Sequence, residues 1–277
     1  MSNIYDSNNQ ICGVVKSPYD IRDYKIVATS DLPEEYSTSK VHVKNQKSES
    51  TCVAHALSSV IEYHYKKLTK MNRSFSTEFI YGYRESNYYI GDGMVIRDAL
   101  KTIQKYGDPY HSDCMGNNNV EIAMERVDSD VETLKEFAKP HKISAYVRLN
   151  NSDEMKTAIM TYGPIVVSMD WHGSYKLVNN IYTYDPKNAY GRHCVMIYGW
   201  NKDGWLVQNS WGMSFGDNGR FIVPYSFNFN EAWGIIDDID DTKVEVITPS
   251  KNKFKRFIYS VINIAVNVFI RLFKNED

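Results

Sequence analysis

The pattern of apolar and polar positions changes period near the middle of the chain. In the first half, Val53, Ala56, Leu57, Val60, Ile61 and Leu68 recur at three- and four-residue steps, the buried stripe of one long helix. Ser50 or Thr51 can cap its start, and Lys66, Lys67 and Lys70 suit the negative end of its dipole. Ser76-Thr77-Glu78 opens a second helix. GDGMVIRDALKTIQKYGDP predicts a third, with Gly107 just past its end and Pro109 beyond. Val41–Gln46 alternates like a short strand.

In the second half, VETLKEFAKP predicts a short helix and ISAYVRL a strand. Ser152-Asp153-Glu154 caps a helix that ends at Gly163-Pro164. IVVSM and IYTY then predict strands. The apolar runs HCVMIYGW and WLVQ flank Asn201-Lys202-Asp203-Gly204 and predict a β-hairpin. Helices early and strands late predict an α+β fold of two lobes, helical first and antiparallel, barrel-like second.

Two stretches stand apart. Residues 1–31 form a polar extension with an aromatic and aliphatic patch, Tyr19, Ile21, Tyr24 and Ile26, that can dock on the body. The compact unit is expected over residues 32–246, with a separate tail over 247–277. Between residues 253 and 274 the tail has helical apolar spacing and a polar stripe containing Arg256, Arg271 and Lys274. Such a helix can lie on a membrane surface, fill a partner's groove or pack on its own body.

Composition narrows the function classes. The 277 residues carry a formal charge of −2, which gives no electrostatic reason to expect nucleic acid. The four cysteines, Cys12, Cys52, Cys114 and Cys194, have no CxxC spacing and no dense disulfide pattern. With no basic and apolar leader at the start, a cytoplasmic, reducing setting is expected, with peripheral membrane contact through the tail as an option.

The hairpin places His193 at the start of one strand and Asn209 just after the other, sixteen residues later. An amide beside an imidazole orients a base. The thiol of Cys52 falls in the first turn of the long helix, where the helix dipole favours thiolate. Gln46, six residues earlier, can donate to an oxyanion together with the Cys52 backbone N–H. Trp211 can shield the His193–Asn209 bond from water. Taken singly, Cys52 is a small buried hydrophobe, His193 a strand-end histidine and Asn209 a turn residue. In this order they describe nucleophilic catalysis. His55 is a rival base on the nucleophile's own helix, where it cannot close over a substrate from the opposite wall. His111-x2-Cys114 has no second pair to complete a metal site.

These residues carry a resemblance. Gln46-x5-Cys52 and its helix, the His193 strand, Asn209-Ser210-Trp211-Gly212 and the following GDNGRF resemble the papain-like (C1) cysteine peptidases. So does GDGMVIRDALKTIQKYG, which is similar to the family's cleft loop and following helix. The likeness runs from about Leu32 to Pro224 and is nearer the compact prokaryotic branch than the plant or lysosomal enzymes. It implies Cys52 as nucleophile, His193 as acid–base, Asn209 as orienter and Gln46 as oxyanion donor, in a groove between two lobes. It implies contacts to a polypeptide substrate from Gly93, Met94, Cys194 and Trp211, and neither metal nor organic cofactor. The chain departs from the pattern in three places. Val53 replaces the tryptophan after the nucleophile, Glu49 a disulfide cysteine, and Met94 the second cleft glycine. The 31 residues before Leu32 are short beside the family's inhibitory pro-segment, and can cross the cleft or brace the back.

The expected activity is therefore that of a thiol endopeptidase. Transamidation, ligation or deamidation through the same acyl-enzyme is the alternative, as is a weakly active binding protein on the same fold.

Overall fold

A computed structural model describes residues 13–20, 23–84, 92–114 and 131–237. The tail over 253–274, and with it the expected membrane or partner contact, lies outside the described residues. Among those described, no helix is long and apolar enough to cross a membrane.

The helical elements are α1 (Cys52–Thr69), α2 (Thr77–Gly82), α3 (Ile96–Tyr106), α4 (residues 131–138) and α5 (Ser152–Thr161). Of α1, every residue from Cys52 to Tyr65 is buried. A helix apolar on one stripe only would not be so enclosed; α1 is the spine of the first lobe. Its polar residues are satisfied inside. Glu62 pairs with Lys44 at 2.6 Å and accepts from the Phe75 N–H at 3.0 Å, while Ser58 Oγ donates to Phe75 O at 3.0 Å.

Two helix starts differ from expectation. Thr51 precedes α1, but its side chain makes no capping bond and its buried hydroxyl has no partner. The N-terminal N–H groups of α1 are thus left to whatever stands at Cys52. The cap of α5 is Asn151 rather than Ser152, since the Asn151 side chain accepts from the Glu154 N–H at 2.9 Å. Ser76 caps α2 as expected, accepting from the Phe79 N–H.

The strands are β1 (Val14–Val15), β2 (Tyr36–Ser37), β3 (Met94–Val95), β4 (Ala145–Leu149), β5 (Ile165–His172), β6 (Lys176–Val178), β7 (Ile181–Thr183), β8 (Ala189–Asn201), β9 (Gly204–Gln208), β10 (Arg220–Val223) and β11 (Glu231–Ile236). β1 and β3 form a small parallel pair. The other nine strands form one largely antiparallel sheet in the order β4-β11-β5-β8-β9-β10-β7-β6, with β2 added to β8. The Asn201 side chain accepts from the Asp203 and Gly204 N–H groups and closes the β8–β9 hairpin. Val41–Gln46 is not a strand; a lone bridge, Asn45 to Trp211, replaces a ladder. That bridge is what the site needs, because it fixes Gln46 against the loop after β9.

β8 divides the interior. Cys194, Met196 and Tyr198 join the core around α1, whereas Val195 and Ile197 join a second core with Trp171, Trp205 and Trp211. The alternation of a strand thus seats one element in both lobes.

Candidate active site

His193 lies on β8 and Asn209 directly after β9, both buried. His193 Nε2–H donates to Asn209 Oδ1 at 2.7 Å. An amide oxygen can only accept, so this bond assigns the proton to Nε2 and leaves a lone pair on Nδ1. That Nδ1 is buried without a hydrogen-bond partner. Trp211 stacks on the imidazole at 4.7 Å between ring centroids, and Trp171 meets its edge at 5.4 Å. Burial in this aromatic box lowers the His193 pKa to about 4, against the opposing effect of the Asn209 bond.

Asn209 is held from both sides. Its N–H donates to Gly219 O at 2.9 Å, and its Oδ1 also accepts from the Ser210 N–H at 2.8 Å. The glycine-rich stretch supplies that carbonyl: Gly219 has φ +80°, and a Cβ there would come within 2.3 Å of Val43.

Cys52 is the first residue of α1 and has no exposed surface. Burial raises its pKa, while backbone N–H groups of Cys194, Gly13, Val53 and Cys52 itself work the other way. The sulfur is thus a neutral thiol here, ringed by main-chain donors. It makes no hydrogen bond to His193 Nδ1.

Gln46 reaches the site from the other side. Its Oε1 accepts from Ser210 Oγ at 2.6 Å, its Nε2 donates to Glu49 O at 2.8 Å, and its N–H donates to Ser210 O at 2.8 Å. Lys44 anchors the same loop to α1 through Glu62, with further bonds to Ser74 Oγ and Phe75 O.

The described residues of 13–31 run as a strap from the start of α1 and β3 across the body. Gly13 O accepts from the Met94 N–H at 2.7 Å, and Val14 and Val15 pair in parallel with Met94 and Val95. The fit admits only glycine, since a Cβ on Gly13 would lie 2.4 Å from Ser50 O. A Cβ on Gly93 would meet Val15 at 2.9 Å. The strap then runs on past Ser17, whose N–H donates to Glu231 Oε1 at 3.2 Å. Asp23 forms ion pairs with Arg97 and, at 3.9 Å, with Arg148. Both guanidinium groups stand over the Trp233 ring, at 5.1 and 5.3 Å. Thr29 N–H donates to Thr157 Oγ1 at 3.0 Å.

The expected apolar docking patch is therefore not what holds this segment. Tyr19 and Tyr24 are 73% and 67% exposed, Ile21 lies outside the described residues, and of the three described patch residues Ile26 packs on the core. Main-chain bonds and the buried Asp23 carboxylate do the work. Sequence reading missed Asp23, Arg97 and Arg148 as a set, because the Asp23–Arg97 pairing spans 74 residues and Arg148 lies further still, with no local spacing signal.

The remaining candidates fall elsewhere. His55 Nδ1–H donates to Thr51 O at 3.0 Å, and the ring faces a polar cavity of about 240 Å³ also lined by Lys44, Gln46, Glu78 and His111. Neither Cys52 nor His193 lines that cavity. His111 pairs with Glu78 at 3.2 Å. Among the described residues no group of three or more His, Cys, Asp or Glu could hold a metal ion.

Over 100 residues the chain is 34% identical to human cathepsin O, and over 84 residues 38% identical to mouse cathepsin S. These alignments cover 35% and 27% of this chain, and only 30% and 25% of the relatives. The fold is similar to that of xylellain, a cysteine protease from Xylella fastidiosa. The TM-score is 0.73 at 21% identity, over 86% of this chain and 98% of that one. The protease and lectin-like domains of Cwp84 from Clostridium difficile give 0.65 at 20% identity, over 83% and 56%. The model of the papain family cysteine proteases matches residues 29–236, most of the chain, and the chain belongs to that family.

Proposed function

We propose that the protein is a thiol endopeptidase held latent by its own N-terminal segment. One observation carries the reading. His193 is bonded through Nε2 to Asn209 under Trp211, with its other nitrogen unengaged, and the adjoining Cys194 N–H is directed at the sulfur of Cys52.

In the reaction, the Cys52 proton passes to His193 Nδ1 and the thiolate attacks a peptide carbonyl carbon. The developing oxyanion takes hydrogen bonds from the Gln46 amide and the Cys52 N–H. As the tetrahedral centre collapses, His193 gives its proton to the departing amine and a thioester remains. Water then adds to the thioester, His193 accepts its proton, and acid and thiol are released. Asn209 keeps the imidazole in the tautomer that presents Nδ1 throughout. The edge of β3 at Gly93 and Met94, with Cys194 and Trp211, would hold the polypeptide by main-chain pairing of the kind β1 now makes.

Latency follows from the same contacts. Gly13 sits against Cys52 and Met94, so a substrate backbone and β1 compete for one edge. The test is site-directed alkylation and proteolysis in parallel. Iodoacetamide should modify Cys52 before the other cysteines once residues 13–31 are displaced, and Cys52→Ala should abolish cleavage of an unfolded protein. Retained cleavage in Cys52→Ala rejects the reading. Product masses with and without an added amine separate hydrolysis from amine transfer.

A further inference from the structure

The sheet carries a buried carboxylate that the reaction above does not use. Glu231 opens β11, and the register sets Glu231 opposite Ser168 of β5 and Ser168 opposite Cys194 of β8. Residues directly opposite across antiparallel strands share a face, so the three side chains form a row on one side of the sheet. Neighbouring strands lie about 4.8 Å apart, which puts Glu231 about 10 Å from Cys194. Trp233, two residues along β11 and on the same face, joins the core that also holds Cys52 and Cys194. Glu231 is buried, and both its oxygens are held by neutral donors. The Trp233 Nε1–H donates to Oε2 at 3.0 Å and the Ser17 N–H to Oε1 at 3.2 Å. Among the described residues no Lys, Arg or His pairs with it. The guanidinium groups of Arg97 and Arg148 stand over Trp233 but pair with Asp23. The donor at Oε1 belongs to the strap, two residues past the end of β1. The strap therefore covers Glu231 and the β3 edge together, and a chain that displaces β1 uncovers both.

We propose that Glu231 is a specificity-determining residue that receives a Lys or Arg side chain of the polypeptide substrate. With the strap displaced, Oε1 loses its donor and faces the chain that has taken the place of β1. A carboxylate kept from water is stabilised most by a cation that also donates hydrogen bonds. An ammonium or guanidinium on a long side chain supplies both from a backbone lying along β3. An apolar side chain at that place leaves the buried carboxylate short of a donor, and this loss is what discriminates between substrates.

The inference rests on the endopeptidase reading above and adds the side chain that its site selects. The test uses the full chain with Asp23→Asn, which loosens the strap, and the same chain with Glu231→Gln or Glu231→Asp added. Each is given a library of short unstructured peptides, and cut sites are mapped by mass spectrometry. kcat/KM is then measured for matched peptides that differ only in Arg, Lys or Leu at the selected place. Latency scales every rate by the same open fraction, so it cancels from the ratio of two peptides. With Glu231 intact, Arg or Lys should be favoured over Leu by about 10–100-fold at one fixed place beside the scissile bond, the worth of a hydrogen bond to a charged group. Glu231→Gln should cut that ratio by about tenfold or more, and Glu231→Asp by less. A Glu231 that only braces the fold would lower all rates together and leave the ratio unchanged. A preference that survives Glu231→Gln overturns the proposal, as does the absence of any preference with Glu231 intact, a result that stands even if the variants melt early. If none of the chains cuts any peptide, the endopeptidase reading fails and this proposal with it. If peptides are cut without regard to Lys or Arg, only this proposal fails.

Discussion

Ser210 Oγ donates to Gln46 Oε1 at 2.6 Å, joining the residue after Asn209 to the amide on the far side of Cys52. The bond turns the Gln46 amide so that its nitrogen faces the start of α1, where Glu49 O accepts from it. One hydroxyl thus ties the proposed orienter of the base to the proposed oxyanion donor. Gln46→Ala should lower kcat by about 10²–10³-fold, the usual cost of removing such a donor. Ser210→Ala should act through Gln46 and cost on the order of tenfold in kcat with KM unchanged. Steady-state kinetics of the two variants checks both. Equal losses would mean that Ser210 does more than position an amide.

The Asp23 clamp predicts a second outcome. Removing one partner of a buried ion pair is costly, about 3–5 kcal/mol when fully enclosed, because the remaining charge is left without compensation. Arg97 and Asp23 are 6% and 8% exposed in their side chains, so most of that penalty applies. Asp23→Asn should loosen residues 13–31 and speed alkylation of Cys52 at least tenfold, with no change in the folded body. Asp23→Glu should do so less. The rate of iodoacetamide labelling at Cys52 reports this directly.

Gly13→Ala tests the same segment at its other end. The added methyl would sit 2.4 Å from Ser50 O, which is backbone and cannot swing aside. β1 must lift from β3, and cleavage of an unfolded protein should rise. A variant as latent as the parent would show that the segment's hold on the cleft is not through Gly13.

Three buried histidines, His55, His64 and His193, and the half-buried His141 make stability depend on acid. Burial lowers the pKa of His55, His141 and His193 to about 4 and of His64 to about 3, from an ordinary 6.5. A depressed histidine contributes stability that is complete above its unfolded pKa and lost as pH falls toward the folded value. The melting temperature should therefore decline from about pH 6.5 downward, followed by calorimetry across that interval. A flat profile would mean that these rings open to water before they protonate.

Asp108 has the opposite sign. It is fully buried, both carboxylate oxygens lack a hydrogen-bond partner, and burial raises its pKa well above the ordinary value against the pull of Lys44. A raised carboxyl contributes stability below its unfolded pKa and loses it as pH rises. Asp108→Asn should thus stabilise the protein, by about 2–8 °C in melting temperature at pH 8 and little at pH 4.

Much of the candidate site is legible in linear order because the proposed chemistry uses residue types at constrained positions. Cys52 needs a helix start, His193 a strand, and Asn209 the loop after the next strand. Each of those is written in local periodicity and turn residues. The hairpin closed by Asn201 needed only short-range signals, as did α2 and α3. Val41–Gln46 misled because alternating burial arises wherever a segment lies along a surface, and its bonds go to the loop at Ser210 and Gly212 instead of to a neighbouring strand.

Only tertiary structure decided how residues 13–31 are held and what state the sulfur is in. Asp23 gains its meaning from Arg97 and Arg148, which folding brings to the Trp233 ring from distant segments. Likewise, the Cys52 thiol is set by two opposing effects that no sequence pattern encodes, enclosure by the body and strap against a ring of main-chain N–H groups. Local spacing determines which groups are available. Long-range packing determines their distances, their dielectric surroundings and hence their charge.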